Sequence, residues 1–98
     1  MSYEITFLPS ANHDLAEILE TQLAFSTNKA KNLLNTLEKQ LEALAEMPRM
    51  YPEYERQPEY RKMVVLDVIV FYVPDDKNKE IVIHRIIPGR MDIKRRLN

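Results

Sequence analysis

Three apolar runs crowd the last third of this chain, and they leave it little to build there except a β-sheet. They are Met63-Val64-Val65, led in by Tyr60-Arg61-Lys62, then Val68-Ile69-Val70-Phe71-Tyr72-Val73, then Ile81-Val82-Ile83-His84-Arg85-Ile86-Ile87. β-branched and aromatic residues dominate all three, as strands require. Leu66-Asp67 reads as a tight turn between the first two runs, and Pro74 to Lys79 as a polar loop between the second and third. The middle run is apolar at every position, which marks a strand covered on both faces. The third leads into Pro88-Gly89-Arg90-Met91-Asp92, with the only glycine of the protein. Because that residue takes a positive φ at low cost, it is expected to swing Arg90 back over the sheet.

The first half has a different period. Ile5-Thr6-Phe7-Leu8 is a short strand stopped by Pro9. Ser10 is placed to cap a helix, with Asp14 in its early turns where negative charge suits the helix dipole. Ala11, Leu15, Ile18, Leu19 and Leu23 recur at helical spacing to about Phe25. Ser26-Thr27-Asn28 breaks this helix and caps a second, whose stripe is Ala30, Leu33, Leu34, Leu37, Leu41 and Leu44, and which Pro48 ends. So short a break predicts an antiparallel helical hairpin. Residues 48–59 form a proline-punctuated connector whose tyrosines and Met50 are expected to fold onto the sheet or the helices. The predicted class is α+β in the order β-α-α-β-β-β: an N-terminal strand, a two-helix hairpin and a three-stranded antiparallel sheet, all in one domain spanning residues 1–98.

Composition narrows the function classes. Ninety-eight residues suffice for one modest core, part of which a partner chain is suited to complete. The absence of cysteine excludes disulfides, thiolate metal sites and cysteine nucleophiles. No apolar run approaches the roughly 20 residues that span a bilayer, and the start lacks signal-peptide features, so a soluble cytosolic protein without membrane contact is expected. The net charge of −1 argues against strong nonspecific nucleic-acid binding. Charge is nevertheless partitioned: residues 1–58 carry five basic and nine acidic side chains, residues 59–98 nine basic and six acidic. Four of the basic ones, Arg90, Lys94, Arg95 and Arg96, lie in the final nine residues.

Metal and cofactor chemistry finds no support. His13 and His84 are the only histidines, and no ligand cluster surrounds either; His13 reads as a surface residue on a first helical turn. No nucleophile elbow or glycine-rich phosphate loop is present. Asp75-Asp76 reads as a turn pair rather than a catalytic one. Arg61, His84, Arg85 and Arg90 are the stronger candidates, because a charged group in an apolar strand must reach solvent or find a partner. His84 and Arg85 point to opposite faces by strand alternation. Arg85 either contacts a target or pairs with a helix carboxylate such as Glu17 or Glu20.

The order of elements, with YRKMVV, DVIVFYV and IVIHRIIPGRMDI, resembles the RelE/ParE superfamily of type II toxin–antitoxin toxins, over nearly the whole chain. The resemblance implies a growth-inhibiting toxin of a plasmid-stabilisation module, neutralised in a hetero-oligomer by a cognate antitoxin. Two mechanisms occur in the superfamily. RelE-like members cleave mRNA on the ribosome, a metal-independent reaction that needs a cation for the developing charge and a group to activate the ribose hydroxyl. For that reading the candidates are Arg90, Arg61 and His84, while two positions with catalytic side chains in such members are here Ile69 and Arg96. ParE-like members block DNA gyrase without hydrolysis. The stretch Arg85 to Ile93 looks more like the ParE ending, so Arg90, Arg85, Met91 and Asp92 are the expected target-binding residues. The ParE-like reading is preferred, with the RNase and a non-toxic antitoxin-binding module as alternatives.

Overall fold

In the computed structural model, which describes residues 2–89, the sequence forms β1 (Glu4–Phe7), α1 (Pro9–Phe25), α2 (Thr27–Glu46), β2 (Arg61–Val65), β3 (Val68–Asp75) and β4 (Glu80–Pro88). The expected α+β order is therefore present. The last three strands make the antiparallel sheet, and β1 adds to it in parallel alongside β4, giving the order β1-β4-β3-β2.

Local chemistry sets the helix ends. Pro9 occupies the first turn of α1, where its missing N–H costs nothing. The helix thus starts ahead of Ser10, and no side chain caps it. The Ser10 hydroxyl instead donates to the His84 carbonyl at 2.8 Å. Ser26 does cap α2, its hydroxyl accepting the Lys29 N–H at 3.3 Å. With one residue between them, the helices fold back as a hairpin.

The two faces of the sheet are covered differently. Val68, Val70 and Tyr72 of β3 meet Ala11, Ile18, Leu33, Leu37 and Leu44 of the helices, together with Met63, Ile81, Ile83 and Ile86. Ile69 and Phe71 point the other way and pack with Ile87 under Tyr54. The Tyr54 ring meets Phe71 edge-on at 5.3 Å. The connector therefore works as a lid on the second face, and this is what buries β3 from both sides. Tyr51 joins the helix side, but Met50 stays 43% exposed rather than folding down.

Strand bounds differ from the sequence reading at one loop. β3 continues through Pro74 and Asp75, which pair with Ile81 and Glu80, so the turn shrinks to residues 76–79. Proline is tolerated because β2 pairs only as far as Tyr72, leaving the other edge of β3 open at Pro74. The acidic pair serves this turn. Asp75 accepts from the Asn78 backbone and side chain at 3.2 and 2.8 Å. Asp76 takes a two-pronged contact from Arg49 at 2.9 and 2.8 Å and the Tyr3 hydroxyl at 2.7 Å.

Two stability predictions follow from these turns. Arg49 and Tyr3 hold the Asp76 carboxyl down at about 2, below its ordinary 3.8. A carboxylate with a depressed folded-state pKa stabilises the fold above its unfolded pKa and loses that contribution as pH falls. The melting temperature gap between wild type and Asp76→Asn should be full above about pH 4 and close as pH falls through about 2, as thermal melts across that range would show. At the β2–β3 turn, exposed Leu66 is held at φ 55°, a left-handed conformation that strains a side chain. Leu66→Gly should raise stability by about 0.5–1 kcal/mol in urea titration.

Candidate functional site

β1 is only four residues long, so β4 loses its parallel neighbour after Ile83. At that point β4 bulges: Phe71 pairs with Arg85 and Tyr72 with Ile83, leaving His84 as the extra residue. The start of α1 supplies what β1 no longer can. Leu8 N–H donates to the Ile83 carbonyl at 3.0 Å, and Ser10 donates to that of His84. Asp14 accepts from Arg85 Nε at 2.6 Å, from Arg85 Nη2 at 3.0 Å and from the Ile86 backbone N–H at 3.0 Å. Asp14 was expected as an early-turn dipole residue; it is instead buried, with its charge spent on β4. Arg85 does pair with a helix carboxylate, but the partner is Asp14 rather than Glu17 or Glu20, which lie farther along α1. The guanidinium's pKa is raised above its ordinary value, first by the hydrogen bond to Asp14.

The other sequence candidates take separate partners. Arg61 donates to the Tyr51 carbonyl at 2.7 Å and lies 3.8 Å from Glu53, which ties β2 to the connector. His84 faces the opposite side from Arg85, as alternation predicts, with its ring edge-on to Tyr60 at 5.1 Å. Partial burial pushes its pKa below the ordinary 6.5, so the imidazole is neutral at pH 7. Lys62 adds a cation on that face, 5.9 Å from the Tyr54 ring centre. Arg61, His84 and Arg85 thus each have a different partner. His13 contacts Glu17 at 3.4 Å on the helix surface. Arg90, Met91, Asp92 and Arg96 lie outside the described residues.

Gly89 is described, and it corrects one expectation. It does not adopt a positive φ. Its backbone N–H donates to the Asp67 carbonyl at 2.7 Å, and a Cβ there would stand 3.0 Å from the same oxygen. Close approach of β4 to the β2–β3 turn, not backbone handedness, favours the glycine.

Beside Gly89 opens a cavity of about 910 Å³. Its walls are the second half of α1, the start of α2, the Asp67 turn and the end of β4. Ile18, Val68 and Ile86 give it an apolar floor, and Glu17, Glu20 and Thr21 line its helix side. Gln22 borders it too; its side chain is buried, and Oε1 has no donor among the described residues. Phe25, 80% exposed, stands at the rim. Sequence reasoning missed Asp14 and Gln22, although both fall on the buried line of α1, at positions 11, 14, 18 and 22.

Comparison with known proteins places these features. The family model described as the ParE toxin of type II toxin–antitoxin systems matches residues 5–93. No curated protein matches the sequence. Among solved structures, a chromosomal ParDE toxin–antitoxin system from P. aeruginosa superposes with a TM-score of 0.71 at 18% identity, covering 89% of this chain and 96% of that one. The intact E. coli RelBE toxin–antitoxin complex gives 0.67 at 14% identity, over 92% and 100%. The isolated E. coli RelE toxin gives 0.67 at 15% identity, over 98% and 100%. At these identities the likeness is one of fold. Among the described residues, no helix is long and apolar enough to cross a membrane.

The clamp on β4 is directly testable. Asp14→Ala should cost about 2–3 kcal/mol in denaturant titration, because it strands both the Arg85 guanidinium and the Ile86 N–H. Hydrogen exchange at the Ile86 amide should accelerate in the same variant, while that of Val65 on β2 keeps pace with the global change only.

Proposed function

Because this chain belongs to the ParE toxin family of type II toxin–antitoxin systems, we propose that it inhibits growth by binding DNA gyrase and is silenced by a cognate antitoxin. The observation that carries this reading is the family match, which runs to residue 93 and so takes in Arg90, Met91 and Asp92. These three are the proposed contacts to the target. Arg85, whose donors Nε and Nη2 are held by Asp14, supports them from β4 and presents only its remaining edge to a partner.

The engagement of Arg61 with the connector favours binding over hydrolysis. A ribonuclease needs a base and a cation converging on one phosphodiester. Here Arg61 is engaged with Tyr51 and Glu53, while His84 sits against Tyr60. The RNase reading keeps one supporting feature: partial burial lowers the His84 pKa, which favours the neutral imidazole of a general base. For the antitoxin, Leu23, Phe25 and Leu34 stand exposed on the helical hairpin and offer apolar surface to a partner in a hetero-oligomer.

Induced expression discriminates the targets. The gyrase reading expects filamented cells with a DNA-damage response while translation continues. Codon-phased mRNA cuts and arrest of translation within minutes would replace it with the RNase reading, and absence of any growth effect with that of a non-toxic antitoxin-binding module. Arg90→Ala should reduce toxicity and still co-purify with the antitoxin; full toxicity of the folded variant would remove Arg90 from the site.

A further inference from the structure

We propose that residues 52–59 form a flap that peels off the outer edge of β2 while the rest of the fold stays intact, and that Arg61 is its clasp. Opening turns the second face of the sheet from a polar surface into an apolar one. In the closed state the segment shows Glu53, Glu55, Arg56 and Glu59 to solvent. Beneath it Ile69, Phe71 and Ile87 are buried, and Tyr54 is the flap residue packed with them. A partner that reads apolar surface therefore finds this face only in the open state.

The hold of the flap on the sheet is slight. Glu53 opposite Arg61 is an isolated bridge and not a strand. Its rungs run from the Lys62 N–H to the Pro52 carbonyl at 3.1 Å and from the Tyr54 N–H to the Tyr60 carbonyl at 2.8 Å. Pro52 has no N–H with which to extend the ladder. Arg61 adds the side-chain hold, donating to the Tyr51 carbonyl at 2.7 Å and lying 3.8 Å from Glu53. The rest of the segment is bonded to itself. Gln57 N–H donates to the Tyr54 carbonyl at 3.1 Å and Tyr60 N–H to the Gln57 carbonyl at 3.0 Å, and these turn bonds survive peeling. The chain ahead of the flap is fixed independently, by the Tyr72 hydroxyl on the Pro48 carbonyl and by Gln40 Nε2 on the Tyr51 hydroxyl, both at 3.1 Å. Motion is thereby confined between Tyr51 and Tyr60. The closed state also carries a penalty. Gln57 Oε1 is shut off from solvent and has no donor among the described residues. An unpaired buried carbonyl is costly, and opening hands it to water. A weakly held segment with such a penalty opens at lower free energy than the whole fold. The device does not depend on which target the protein meets, and its test uses no toxicity measurement.

Hydrogen exchange read amide by amide tests it. In the wild-type chain the Tyr54 and Lys62 amides should exchange about tenfold faster than that of Val65, with little dependence on low urea, because local opening exposes little surface. Arg61→Ala should speed both by a further factor of about ten relative to Val65. The paired substitution Glu53→Cys/Arg61→Cys supplies the converse. These two positions face each other as a non-hydrogen-bonded antiparallel pair, the spacing that suits a disulfide. The chain has no other cysteine to compete. Oxidised, this variant should exchange Tyr54 and Lys62 as slowly as Val65; reduced, it should exchange them faster than wild type. Comparing two redox states of one variant separates flap closure from any effect of the substitutions on the fold. The proposal is overturned by Tyr54 and Lys62 amides that exchange in step with Val65 in the wild type. Arg61→Ala acting equally on all three amides would overturn it as well, as would a formed disulfide that leaves the two flap amides fast.

Discussion

One carboxylate organises the junction on which the sheet depends. The parallel partner of β4 ends at Phe7, and beyond it the central strand of the sheet would present unpaired backbone to whatever lies alongside. Asp14 meets that need from α1, accepting from a backbone N–H and a guanidinium at once. The gain is not mainly Coulombic. A partly buried ion pair returns little net stability once desolvation is counted. What the carboxylate settles is register: with Ile86 N–H and Arg85 both fixed, the extra residue of β4 has to be His84. Ile83 and Ile86 then share the helix face, while Ile87 turns to the connector side.

The sheet was legible because its signal is redundant. Val68 to Val73 offers no polar residue to face water, so burial on both sides follows from the residues alone. The helical hairpin was equally open, since Ser26-Thr27-Asn28 interrupts two apolar periods, although Ser26 alone proves to separate the helices. The line of α1 was read only in part, Ala11 and Ile18 being buried as expected and Leu15 and Leu19 packing at its side, for a physical reason. Two of its four buried positions, Asp14 and Gln22, are polar, and a reading that ranks residues by hydrophobicity keeps Ala11 and Ile18 but adds Leu15, Leu19 and Leu23 in place of the polar pair. The last of these is over half exposed. The bulge left one trace in the sequence, the odd interval between Ile83 and Ile86, which strict alternation cannot place on one face.

The candidate site was legible as a set of charges but not as a set of pairs. Arg61, His84 and Arg85 stand out because each interrupts an apolar strand. Their partners are a backbone carbonyl in the connector, an aromatic ring and a carboxylate distant in sequence, and none of these has a spacing rule. Gly89 shows the same limit from the other side. Its identity pointed to a special backbone position, and the special feature turned out to be a carbonyl oxygen that a side chain would crowd.

The place of β4 within the sheet also governs when the protein can exist. This strand lies between β1 and β3, yet it is the last of the four to be synthesised. Until it is made, β1 has no strand to pair with and α1 has no bulge to clamp, so the nascent chain is limited to its helical hairpin and the β2–β3 ribbon. Two-stranded ribbons and lone hairpins of helices are marginal in water. Folding is thereby deferred until β4 has been made, and any product interrupted before Ile81 lacks the centre of its sheet. For a protein of this family, that arrangement means a broken message yields unfolded chain and no partial toxin.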